Sequence, residues 1–317
     1  MKTRLFLLLI ICSFVFSSCE ETVDIKKTFG IEPQIVLYSR ICPQADTNYA
    51  YVHHSLAFFS SRSYSSEVAP LSNATVEISN DEKTWIRFSY NEEKRAFVLL
   101  GNQISIEEGK TYHIRVACDG FETVTSSCTV PYMREVYMQK GTTMITCYGS
   151  SFDDNKQKHP HDVFRWTDYP DEENFYMLHA VYSGWSYITQ YDEYGNPIIV
   201  DSTYYSYLSS IVDNNTNEEF FSDQGRDGKE IKVIDYHCEE YSGWIREDEL
   251  LLTMMDKPCY LYEQSLWKYH NSMSSGMDMN LLSLFEPILI YSNIENGLGF
   301  FGAYTAKQYS IPALPQF

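Results

Sequence analysis

The sequence predicts an all-β protein. An N-terminal immunoglobulin-like or carboxypeptidase-regulatory-like sandwich is followed by a larger C-terminal antiparallel β domain with one packed helix. Three observations carry this expectation. Apolar residues recur at period two in short runs, the pattern of half-buried strands. Gly, Asn, Asp and Pro punctuate those runs about every 8–12 residues, the spacing of sandwich strands. The chain also holds 26 Tyr, more than its 18 Phe and 5 Trp together, a bias toward strands and contact surfaces over helix bundles.

The 317 residues are 44% hydrophobic and 21% charged, which excludes a disordered, highly charged chain. At about 100–200 residues per domain, the length accommodates two domains. A formal charge of −19 excludes the Lys/Arg surplus needed to neutralise phosphates or to form a polybasic membrane patch. No nucleic-acid partner is expected.

Residues 1–18 read as a lipoprotein signal peptide. Lys2 and Arg4 form a positive start, and Leu5 to Phe16 is an apolar run too short to span a bilayer. Ser17-Ser18-Cys19 resembles the lipobox, in which the enzyme cuts before a Cys whose thiol is then lipidated. The alternative is an ordinary secretory signal with Cys19 incidental. A lipid anchor explains how an acidic protein sits at a membrane, because each buried acyl CH₂ contributes ~0.8 kcal/mol. Glu20-Glu21 resembles the acidic tag that sends lipoproteins to the outer cell face in Bacteroidota-type bacteria, or simply begins a solvated tether over 19–32.

Residues 33–131 form the sandwich candidate. Pro33 to Ile41 is apolar and β-branched. Ala74, Val76 and Ile78 alternate on one face, as do Ile86, Phe88 and Tyr90, and Tyr112, Ile114, Val116 and Cys118. Asp119-Gly120 is a turn signal before Phe121 to Val130, and Pro131 closes the segment.

Residues 132–317 form the second domain, still β but with longer, acidic loops. Strand candidates are 144–148, 163–167, 175–182, 185–191, 198–200, 204–208, 230–237 and 249–255, with a return to strands over 288–310. One helix is expected, with Pro258 in its first turn and Cys259, Tyr262, Leu266 and Tyr269 at helical spacing.

Six cysteines remain after Cys12 leaves with the signal and Cys19 takes lipid: Cys42, Cys118, Cys128, Cys147, Cys238 and Cys259. In an exported chain they are disulfide candidates of open connectivity, or buried thiols acting as small hydrophobes. A two-residue turn at Asp119-Gly120 would put Cys118 opposite Phe121 and Cys128 opposite Thr111, with their sulfurs on opposite faces.

No motif for chemistry survives a physical test. Gly297-Leu-Gly299-Phe-Phe-Gly302 matches the dinucleotide fingerprint, but no acid follows it for a ribose and prolines follow instead of a helix. The glycines read as bends in a final β-hairpin. His159-Pro-His161 near Asp153 and Asp154 offers metal-ligand types and reads more simply as a polar loop. Asp213-x-Asn215-x-Asn217 begins like a calcium loop but has Glu218 and Gln224 where Gly and Glu belong. The acid pairs at 171–173, 218–219 and 239–240 read as solvated loops, since glycosidase carboxyls must face each other across a cleft. Asp201-Ser202-Thr203 matches a short O-glycosylation sequon at the level of chance. No catalytic residue, metal or cofactor is assigned, and the chain reads as a non-enzyme.

The densest unusual segment holds Tyr182, Trp185, Tyr187, Tyr191, Tyr194, Tyr204, Tyr205 and Tyr207. Tyr and Trp give large amphipathic contact area at low entropy cost. Trp185, Tyr187, Tyr191, Tyr194, Tyr204, Tyr205 and Tyr207 are therefore candidates for a ligand or partner surface. Alternatively they fill the sheet core, with one parity inside and the other outside.

Several segments together resemble one family: Ser18-Cys19-Glu20-Glu21, Asn73 to Ile78, Gly109 to Val116 with Gly120 to Pro131, and Tyr291 to Tyr304. These resemble the two-domain outer-membrane lipoproteins of Bacteroidota-type bacteria catalogued as a domain of unknown function, whose genes often lie beside a TonB-dependent transporter. The resemblance implies a lipid-anchored, surface-exposed, non-enzymatic lipoprotein of the outer membrane. It would bind a small nutrient, glycan or peptide, or serve a TonB-dependent transporter as accessory. The alternative is a cell-surface adhesion or interaction lipoprotein.

Overall fold

The computed structural model describes residues 33–55, 68–147, 157–236, 245–274 and 289–310. The expected signal peptide, Cys19, the tether, Asp153, Asp154, Cys238 and Glu239-Glu240 lie outside the described residues, as does the side chain of Cys147. The protein is all-β with one helix among the described residues. The first eight strands are β1 (Ile35–Ile41), β2 (Thr47–His54), β3 (Thr75–Ser79), β4 (Ile86–Arg87), β5 (Ser89–Asn91), β6 (Ala96–Leu100), β7 (Thr111–Ala117) and β8 (Val124–Thr129). Then follow β9 (Gln139–Cys147), β10 (Gln157–Thr167), β11 (Phe175–Tyr191), β12 (Pro197–Ser210), β13 (Phe220–Ser222), β14 (Glu230–Ile234), β15 (Ile245–Met255), helix α1 (Lys257–Ser274) and β16 (Leu298–Ser310).

A nine-stranded sheet runs β12-β11-β15-β16-β1-β2-β6-β5, with β13 also paired to β11. Its pairings are antiparallel except that β16 lies parallel to β1. One sheet therefore spans both sides of Pro131. A four-stranded sheet, β4-β3-β7-β8, and a three-stranded sheet, β14-β10-β9, are the other layers.

Alternation on the strands decides the packing. Leu37, Val52, Phe97 and Leu99 meet Val76, Ile78, Ile114 and Val116 in a sandwich core. Phe164, Trp166, Ile231 and Val233 meet Tyr176, Leu178, Leu250 and Leu252 in a second core. The β16 strand serves two layers by parity: Phe301 and Ala303 enter the sandwich core, while Phe300 packs under α1. Tyr262 of α1 stacks on Phe300 at 4.1 Å between ring centroids. Burying each of these Phe side chains stabilises by about 1.5–3 kcal/mol.

Helix α1 begins as the sequence predicts. The Asp256 carboxylate accepts the Cys259 N–H at 2.9 Å, an N-cap that satisfies one orphan donor. Pro258 falls in the first turn, where no N–H is required. Burial raises the Asp256 carboxyl to about 7, and its Oδ2 has no hydrogen-bond partner among the described residues.

Several sequence expectations change. The glycines of 297–302 do not bend a hairpin; they let β16 lie against β1 and α1. Gly299 has φ +100, and a Cβ there would collide with the Leu37 carbonyl oxygen. The 175–182 and 185–191 runs are one strand, as are 198–200 and 204–208. Ser183 and Gly184 simply continue the ladder opposite Ser206 and Tyr205. The hairpin after β7 is longer than two residues: Thr111 pairs with Thr129, and Cys128 lies opposite Tyr112. Cys128 is therefore in the sandwich core, with Cys118 packed against that same core. Cys42, Cys118, Cys128 and Cys259 are free thiols, and burial pushes all four above the usual thiol range. His159 and His161 are not in a loop; both are buried in strand β10.

Candidate partner-binding arm

The sheet holds β11 firmly at its root and leaves its outer half free. Phe175 to Gly184 are buried or half-buried, whereas every residue from Trp185 to Tyr191 is exposed. The β12 strand is exposed along all but its last two residues. The two strands pair from His179↔Ser210 to Tyr191↔Pro197, forming an antiparallel arm. The register shifts between Ile188↔Asp201 and Thr189↔Ile199, so Val200 is the extra residue of a bulge, which increases local twist.

A tight tip closes the arm. Asp192 Oδ1 accepts the N–H groups of Tyr194 and Asn196 at 2.9 and 2.7 Å, and Asn196 Nδ2 donates to Oδ2 at 2.9 Å. These donors hold the Asp192 carboxyl below its usual range, the Asn196 side chain contributing most. Gly195, at φ +82, supplies the left-handed residue the turn requires.

All seven aromatic residues singled out in the sequence are on this arm and exposed, from 42% at Tyr207 to 81% at Tyr194. Trp185 lies directly opposite Tyr204 and Tyr182 opposite Tyr207. Pairs across strands share a face, so Trp185, Tyr187 and Tyr204 lie on one side and Tyr205 and Tyr207 on the other. Ile188, Ile198, Ile199, Val200 and Leu208 are exposed among them. Only Tyr182 enters the core, where its hydroxyl donates to Asp235 Oδ2 at 3.0 Å. The expectation of one parity inside and one outside is therefore corrected: among the described residues, both faces of the arm are exposed beyond the root.

Such an arm presents a large apolar area on a two-stranded element, which by itself is at best marginally stable in water. No Lys or Arg occurs from Tyr182 to Ser210, while Asp192, Glu193 and Asp201 do. Chemically it can stack, hydrogen-bond through phenols and repel anions.

Two acids of the loops singled out in the sequence have structural roles. Glu172 forms a bidentate pair with Arg134 at 2.7 and 2.8 Å, and the guanidinium lies over the rings of Tyr132 and Tyr169. Asp213 accepts hydrogen bonds from Ile234 and Thr216, closing a turn rather than opening a calcium loop.

One cluster escaped sequence reasoning. Carboxylate atoms of Asp168, Asp223 and Asp227 lie within 4.8 Å of one another. Asp168 accepts from the Tyr176 hydroxyl at 2.6 Å and the Gly228 N–H at 2.9 Å. Asp223 accepts from the Asn174 N–H and Asp227 from the Asp171 N–H. Burial, then the neighbouring Asp168 and Asp227, push the Asp223 carboxyl upward. The trio fastens the 168–174 loop to the 223–228 loop. Asp168 is distant in sequence from Asp223 and Asp227, so no local spacing joins the three.

The family profile described as Domain of unknown function (DUF4249) matches residues 20–310. The chain belongs to the DUF4249 family. The match covers the sandwich, the arm and β16 alike, so the arm of this DUF4249 protein lies inside the family domain. No curated protein matches the chain. No helix of this DUF4249 protein among the described residues is long and apolar enough to cross a membrane.

Proposed function

We propose that this DUF4249 protein is a surface-exposed, non-enzymatic outer-membrane lipoprotein that docks a partner through the β11–β12 arm, as accessory to a TonB-dependent transporter. The exposed aromatic arm is the observation that carries this reading. Seven Trp and Tyr side chains exposed on a protruding hairpin are the residue types that dominate binding energy at interfaces. Ser17-Ser18-Cys19 followed by Glu20-Glu21 supports lipid attachment at Cys19 and export to the cell face. Within the 171–173 acidic run, Glu172 is held in an ion pair with Arg134, which supports a structural role for it.

The test is photo-crosslinking in intact cells from a benzoyl-phenylalanine placed at Tyr187 or Tyr204. The expected product is a covalent adduct with an outer-membrane β-barrel transporter, identified by mass spectrometry. Adducts with host or neighbouring-cell proteins only would favour adhesion instead. Absence of any adduct from either arm position would overturn the docking reading.

A further inference from the structure

The outer face of the four-stranded sheet carries a groove of about 550 Å³, within the range of small-ligand sites. It is distinct from the arm and draws on different strands. His113 and Arg115 of β7 and Ser127 of β8 form its floor; Glu82 and Trp85 line one side and Glu295 the other. We propose that this groove binds a neutral glycan.

The pairing registers assemble it. Arg115 lies opposite both Glu77 on β3 and Thr125 on β8, and Thr125 bridges to Glu295. Arg115 Nε donates to Glu77 Oε2 at 2.7 Å, and its guanidinium carbon lies 4.1 Å from the centre of the Trp85 ring. Those two contacts fix the plane of the guanidinium. Its two terminal amino groups have no hydrogen-bond partner among the described residues, so a fork of donors is held ready. Glu295 receives the Thr125 hydroxyl on Oε2 at 3.0 Å and keeps Oε1 as an acceptor. His113 Nε2 lies 3.4 Å from Glu82 Oε1.

The Trp85 side of the groove is also built in advance. Asp81 accepts the N–H groups of Lys83 and Thr84 at 2.8 and 2.7 Å and the Ser79 hydroxyl at 2.9 Å. These bonds hold its carboxyl down at about 2. They stabilise a loop in which Glu82 adopts φ 58, a conformation that non-glycine residues rarely take.

Ligand class follows from this donor and acceptor set. Each sugar hydroxyl both donates and accepts, so vicinal hydroxyls match a guanidinium fork beside carboxylates, while the apolar ring face suits an indole. An anion would meet Glu82 and Glu295. An apolar ligand would bury the Arg115 donors without partners, which is costly.

The test applies the purified protein to an array of immobilised neutral, sialylated and sulfated oligosaccharides, followed by calorimetry with the neutral oligosaccharide giving the strongest signal. Retention on neutral glycans is expected. Arg115→Lys, which keeps the charge and loses the fork, should weaken it at least tenfold, as should Trp85→Ala. The arm variant Trp185→Ala/Tyr204→Ala should bind as the parent does, which separates this site from the docking reading. Binding to no glycan, to acidic glycans only, or with no effect of Arg115→Lys would overturn the proposal. Loss of binding only in the arm variant would move the site to the arm and overturn it too.

Discussion

Trp185 and Tyr204 face each other across the arm, their ring centroids 5.3 Å apart and their planes at 65°. This edge-to-face pair sits where both strands have left the cover of the three-stranded sheet, and each ring remains about half exposed. Such pairs contribute about 0.5–1.5 kcal/mol beyond burial. Replacing both with Ala should lower the thermal stability of the whole protein little, because both rings are already about half exposed. It should abolish or strongly reduce recovery of the arm's partner from detergent-solubilised membranes. A large fall in melting temperature with unchanged partner recovery would make the pair a structural element of the fold.

Asp256 gives a pH dependence with a definite sign. Its carboxyl is raised to about 7, chiefly by burial, against an ordinary unfolded value near 3.9. The folded state therefore holds a proton that the unfolded state has lost. The stability of the neutral form is complete below about pH 4 and declines as pH rises to about 7, by roughly 4 kcal/mol at 1.36 kcal/mol per unit. Asp256→Asn preserves N-cap chemistry and removes the titration. Urea unfolding at pH 5 and pH 8 should show a variant whose advantage over the parent is larger at pH 8. An advantage independent of pH would contradict the raised carboxyl.

Gly299 admits no side chain. Its positive φ and the Leu37 carbonyl oxygen on β1 combine a backbone conformation other residues rarely adopt with a rigid steric partner. Gly299→Ala should destabilise by more than ~3 kcal/mol. The parallel β1–β16 pairing would open first, seen as new proteolytic cleavage near residues 298–303. Gly141, where an added Cβ would meet nothing within 4 Å, provides the control.

Cys19→Ala should release the mature chain from membranes into the soluble fraction, and the parent's N-terminal peptide should carry acyl mass on Cys19. A variant that stays with the membrane would leave the arm, or another surface, as the means of attachment.

Legibility in the sequence followed the range of the interactions. Alternation at Tyr112, Ile114 and Val116 identifies β7 because a two-residue period directly reports one covered face. Pro258 and the apolar spacing after it mark α1 for the same local reason. The Asp119-Gly120 turn was visible, but its length was not. The pairing of Val116 with Val124 is a choice among registers that differ by one residue, and local sequence barely distinguishes them. The sequence separates 175–182 from 185–191 because Ser183-Gly184 has the composition of a turn, yet pairing with Ser206 and Tyr205 holds both residues in the strand.

The arm and the groove show the same division. Residue order and composition already carry the all-β class, the start of the helix, the acidic charge and the concentration of aromatic residues between Tyr182 and Tyr207. Composition and short-period patterning act over a few residues and leave their trace in any one segment. Strand neighbours set the rest: the aromatics from Trp185 to Tyr207 are exposed on both faces, β16 lies parallel to β1 across most of the chain's length, and Arg115 meets Trp85, Glu77 and the Thr125–Glu295 bridge. Each of these depends on which strands become neighbours. That choice is made by burial summed over whole sheets, where no single segment carries the signal.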